Sequence, residues 1–94
     1  MKMLTEHASI RVKQRGIPPL IRNWLIDYGK ANYDGHGVVI RYFNKDSVRR
    51  MEKAFGREPI RRMSEFLRCY LVQSIDGTIV TIGKRHPNSR INRA

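Results

Sequence analysis

Leu20, Ile21, Trp24, Leu25 and Tyr28 recur at the spacing of one helix face and give the clearest helical segment of the chain. Pro18 and Pro19 precede it, where a missing N–H costs least, and Gly29 ends it. Upstream, Thr5 predicts the N-cap of an earlier helix, with Glu6 in its first turn, Ala8 and Val12 on its inner face and Gly16 as its terminator. Residues 30–34 and 38–43 read as strands around a Gly35-His36-Gly37 turn; the second is rich in β-branched and aromatic residues. Asn44 or Asp46 then caps a helix with Val48, Met51 and Phe55 inward and Gly56 at its end. Pro59 opens a further helical stretch with Ile60, Met63 and Leu67 inward.

The strongest hairpin signal comes last, in residues 69–75 and 78–84. Asp76-Gly77 suits a two-residue turn with positive φ. That turn pairs Gln73 with Val80, Leu71 with Ile82 and Cys69 with Lys84 on one face. On the other it pairs Ser74 with Ile79, Val72 with Thr81, Tyr70 with Gly83 and Arg68 with Arg85. The first face, with Leu71, Val80 and Ile82, is expected to be core; a one-residue slip would exchange the faces. The order α-α-β-β-α-α-β-β predicts an α+β domain. Two N-terminal helices pack on an antiparallel sheet of about four strands, with a helical insertion between the second and third strands. Residues 1–83 form this single domain, and 84–94 a basic C-terminal extension.

Charge changes the picture. Nineteen Lys and Arg against eight Asp and Glu leave +11. Residues 1–47 hold eight cations and four carboxylates, and the remainder eleven and four. Such an excess repels itself unless a polyanion meets it. Nucleic acid is the first expected partner, an acidic protein the second and an anionic membrane surface the third. Cys69 is the one cysteine, so no internal disulfide or multi-cysteine metal site forms, and its apolar neighbours suggest a small buried side chain. No apolar run is long enough to span a bilayer, and Met1–Glu6 has no signal-peptide core, so a cytoplasmic location is expected.

Phosphate-binding Gly-rich loops, metalloprotease motifs and nucleophile elbows are absent, and His7, His36 and His86 lack metal-ligand spacing. No cofactor and no metal is expected. Arg, Lys, His and Tyr remain, a set suited to metal-independent phosphodiester chemistry. Attack by a ribose 2′-OH needs a base, charge stabilisation on the phosphorane and an acid for the leaving oxygen. His7, Arg11 and Arg15 share one helix face near Gln14, and Arg68, Tyr70 and Arg85 meet at the far end of the predicted hairpin.

The run His7-Ala8-Ser9-Ile10-Arg11-Val12-Lys13-Gln14-Arg15-Gly16-Ile17 resembles the H-A-x-x-R-x-x-Q-R-G-I opening of a small prokaryotic domain family of uncharacterised function. The Asp76–Gly83 hairpin and the Arg90-Ile91-Asn92-Arg93 ending are similar to the same family; residues 44–66 are not covered. That family is grouped with the RelE-like members of the barnase–EndoU–colicin superfamily of metal-independent ribonucleases. The resemblance implies two helices on an antiparallel sheet and a toxin-type ribonuclease paired with an antitoxin. It points to His7, Arg11, Gln14, Arg15 and the 83–86 strand end. The chain departs from the pattern in having Lys84 rather than histidine after Gly83, and in lacking a tyrosine near the C-terminus.

The expected function is therefore a metal-independent RNA endonuclease. The expected catalytic residues are His7, Arg11, Lys84, Arg85 and His86. Gln14, Arg15, Arg41, Arg68, Tyr70, Arg90 and Arg93 are the expected nucleic-acid contacts. Two alternatives use the same charge: a non-catalytic nucleic-acid-binding module, and a basic domain bound by an acidic antitoxin. The sheet face of Arg41 is left open by the sequence.

Overall fold

The computed structural model describes residues 4–8, 10 and 16–85. It is an α+β domain with a four-stranded antiparallel sheet in the order β1-β2-β3-β4. The elements are α1 (Pro19–Tyr28), β1 (Lys30–Tyr33), β2 (Val38–Tyr42), α2 (Lys45–Phe55), α3 (Arg57–Arg62), a short 3-10 turn (Ser64–Phe66), β3 (Cys69–Ser74) and β4 (Ile79–Lys84). Glu6–Ala8 and Ile10, ahead of α1, are also helical.

Thr5 begins that first helical stretch as expected. Its hydroxyl accepts the Ala8 N–H at 3.1 Å and donates to the Val80 carbonyl at 3.0 Å. Its own N–H donates to the Ile79 carbonyl at 2.9 Å. One residue thus caps a helix and ties it to the start of β4. Gly16 has φ 60°, as a helix terminator requires; Val12 lies outside the described residues.

α1 begins at Pro19 and buries Ile21, Trp24 and Leu25. Leu20, expected inward, is instead exposed, so the buried stripe is narrower than the apolar pattern. In α2, Asn44 and Ser47 form a reciprocal capping box and Met51 is fully buried. Phe55 remains 43% exposed, but its ring stacks on Trp24 at 5.3 Å and meets Tyr28 edge-on. α3 starts at Arg57, two residues before Pro59. It stops at Arg62, so Met63 caps it and Leu67 closes the 3-10 turn, yet both pack against the core as expected.

The β3–β4 hairpin corrects the predicted register at its closed end. The Gly77 N–H donates to the Ser74 carbonyl and the Ser74 N–H to the Thr78 carbonyl, each at 2.9 Å. The loop is therefore three residues, Ile75–Gly77, with Gly77 at φ 93°. Gln73 then pairs with Ile79, not Val80. A bulge between Val72 and Gln73 restores the predicted pairs Val72–Thr81, Leu71–Ile82, Tyr70–Gly83 and Cys69–Lys84. As a result Ile79 is fully buried and Val80 is 38% exposed, the reverse of their expected roles. β4 reaches Lys84, as expected, and the Arg85 N–H donates to the Arg68 carbonyl at 2.8 Å.

The core lies on one face of this sheet. Cys69, Leu71, Ile79 and Ile82 cluster with Ala8, Ile17, Ile21, Trp24, Leu25, Phe43, Met51 and Ile60. No described helix is long and apolar enough to cross a membrane.

Candidate functional site

Residues paired across neighbouring strands share a face, and successive residues alternate. The face turned away from the helices therefore carries the row Lys30–Tyr42–Tyr70–Gly83, one residue from each strand. The next row inward includes Asn32, Ile40, Val72 and Thr81. The backbone bond from Arg85 to Arg68 continues the pairing one step outward and sets these two arginines opposite each other on the same face. No Asp or Glu occupies a paired position on this face.

Tyr70 lies against Gly83: a Cβ built on the glycine would stand 3.3 Å from the Tyr70 hydroxyl and 3.4 Å from its ring. The missing side chain lets the phenol lie across β4. Tyr42, next in the row, is buried. Arg68 and Arg85 are half-buried, and the Arg85 Nε is enclosed with no hydrogen-bond partner among the described residues. A buried donor without an acceptor is costly, and two cations opposite each other repel. Both terms favour an anion held between the two side chains. A phosphate oxygen, met bidentately, is the ordinary partner of such a guanidinium.

Three expected site residues stand elsewhere. Lys84 pairs with Cys69 and so lies on the helix-covered face, where its ammonium sits 3.7 Å from Glu65 and 4.6 Å from the Phe66 ring centroid. Strand alternation separates it from its neighbour Arg85. Arg41 pairs with Leu71, again on the helix side. Its Nε donates to the Gln73 Oε1 at 2.6 Å, and the Gln73 amide donates to the Gly77 carbonyl at 3.0 Å. Arg41 therefore braces the β3–β4 turn. His7 is exposed and follows Thr5, which is anchored at the Ile79–Val80 end of β4, the opposite end from Lys84 and Arg85. Arg11, Gln14, Arg15, His86, Arg90 and Arg93 lie outside the described residues.

No family model, characterised protein or solved structure matches this chain.

One contributor to the face, Lys30, escaped the sequence reading, whereas Tyr42 is, with Tyr70, a base-stacking candidate there. Lys30 and Tyr42 join Tyr70 only through the β1–β2 and β2–β3 registers, which no local signal fixes. The helical cations are more nearly balanced. Glu58 engages both Arg61 and Arg62, at 2.7 Å and 3.1 Å, and Arg50 pairs with Asp46 at 3.1 Å. Such surface pairs are weak, but they quench part of the helical charge. Among the described residues, the face carrying Arg68 and Arg85 has no such quenching. It offers charge stabilisation from two guanidiniums and a phenol as donor, and no histidine among the described residues joins it.

Proposed function

We propose that this protein acts on RNA as a RelE-like domain, with the face of Arg68, Tyr70 and Arg85 taking the phosphodiester backbone. The observation that carries this reading is the Arg68–Arg85 pair, set opposite by the sheet and unanswered by any carboxylate on its face among the described residues. A phosphate between them relieves their repulsion, and Tyr70 stands one row away as hydrogen-bond donor. Metal-independent cleavage by 2′-OH attack is the reaction such a face serves, because two arginines stabilise the charge on the phosphorane. His86 follows Arg85 directly in the chain and is the residue proposed as acid or base. An acidic antitoxin is the proposed protein partner, and the cytoplasm the proposed location.

A second reading, RNA binding without cleavage, is favoured by the positions of His7 and His36, which are not on this face. Incubating the protein with a mixed RNA pool in EDTA separates the two. Cleavage by wild type that is lost in His86→Ala and in Arg68→Ala/Arg85→Ala supports the nuclease. Salt-sensitive binding of intact RNA supports the binding module. RNA neither bound nor cut overturns both.

A further inference from the structure

We infer that a groove beside α2 is a second RNA subsite, which seats one nucleotide with its base on an apolar floor. This rests on the RNA reading above. The groove has a volume of about 500 Å³, within the roughly 300–1,000 Å³ range of small-molecule sites. Phe43, Val48 and Leu67 form its floor, and Lys45 and Arg49 stand along its rim. Lys45 and Arg49 are four residues apart on α2, hence on one helix face, and both are exposed. Neither has an ion-pair partner among the described residues. Their neighbour Arg50 is committed, to Asp46 at 3.1 Å and to the Tyr28 carbonyl at 2.8 Å. The one carboxylate on the groove wall is Glu52.

The groove lies on the helix-covered side of the sheet, at the end where Arg68 and Arg85 stand on the opposite face. Phe43 directly follows Tyr42, and Leu67 directly precedes Arg68. It therefore opens at the end of the sheet where Arg68 and Arg85 face each other. Cations flanking an apolar floor hold single-stranded RNA through phosphate and base together. A strand whose phosphate sits between Arg68 and Arg85 would pass round this end of the sheet to enter the groove, its next phosphates toward Lys45 and Arg49.

The test is anisotropy of a labelled ten-nucleotide single-stranded RNA over a range of salt. Lys45→Ala/Arg49→Ala should weaken binding about tenfold and flatten the salt slope by roughly 1.4, the value for two lost phosphate contacts on a single strand. Glu52→Gln should tighten binding roughly twofold, because it removes a like charge from the anion's path. An abasic strand should bind wild type more weakly, and this penalty should shrink in Lys45→Ala/Arg49→Ala. If that variant binds as wild type does while Arg68→Ala/Arg85→Ala loses affinity, the groove is no subsite and the interface stands. If wild type binds no RNA, both fall. If the variant loses an acidic peptide and keeps full RNA affinity, the groove is a protein-docking surface and the inference is overturned.

Discussion

The two faces of the sheet come from the same strands, yet they treat charge in opposite ways. On the helix-covered face, Lys84 has Glu65 and the Phe66 ring, and Arg41 has Gln73. One residue along, Arg85 stands opposite another arginine, with its Nε enclosed and unpartnered among the described residues. The packed face meets its cations with local partners as it meets its apolar residues with helices. Among the described residues, the second face leaves its cations unanswered. A charged residue next to the core is thus a structural part here, and one across the sheet is available for a ligand.

The largest expected effect tests whether stability belongs to one face. Leu71 is fully buried against the helices, and Leu71→Ala should cost about 2–5 kcal/mol in urea unfolding. Val72, half-buried on the other face, should cost only about 1 kcal/mol when changed to alanine. Equal losses would mean that both faces are packed cores.

A smaller effect sharpens the role of Tyr70. Gly83→Ala places a Cβ 3.3 Å from its hydroxyl, so the ring must shift. The expected cost is about 1 kcal/mol, with a larger fractional loss of RNA affinity than Leu71→Met produces. If RNA affinity follows stability alone in both variants, Tyr70 is only a packing residue.

The hairpin shows what was legible in the sequence and what was not. Asp76-Gly77 located the turn, and the pairing of residues 69–72 with 81–84 was correct. The loop length was not legible, because a positive-φ glycine suits a two-residue turn and a three-residue loop equally. Ile79 and Val80 are both apolar, so alternation could not say which one the bulge would turn outward. The face of Arg41 and the row joining Lys30 and Tyr42 to Tyr70 depend on pairing between segments about 30 residues apart, as Arg41 and Leu71 are. The split between Lys84 and Arg85 needed only the register of one hairpin. The predicted register already separates them; the family resemblance groups them in one site because it points to the whole 83–86 strand end.

Cys69 provides a pH test of the packed face. Burial raises its thiol from the ordinary 9.0 to about 11, against the opposing pull of nearby Lys84 and Arg68. The unfolded chain then releases the proton first, so the folded state holds more protons between about pH 9 and 11 and stability falls as pH rises through that window. Unfolding midpoints at pH 8 and 10.5 should show this decline in wild type and a weaker one in Cys69→Ala. A decline of the same size in both would assign it to other groups.

The smallest effect concerns the turn. Asp76 accepts hydrogen bonds from the Ser74 hydroxyl and the Thr78 N–H, which hold its carboxyl down at about 2. A depressed acid contributes stability above its unfolded pKa, near 3.8, that is lost as pH falls through about 2. Asp76→Asn should flatten the acid limb of the stability profile slightly and leave RNA affinity unchanged.

The central claim is that the face of Arg85, not that of Lys84, meets RNA. It is tested most directly by the salt dependence of single-stranded RNA binding in wild type, Arg85→Ala and Lys84→Ala. The account predicts that Arg85→Ala weakens binding and lowers the slope by about 0.7, one phosphate contact on a single strand, while Lys84→Ala leaves both near wild type. Equal losses from the two neighbours, or a loss from Lys84→Ala alone, would contradict it.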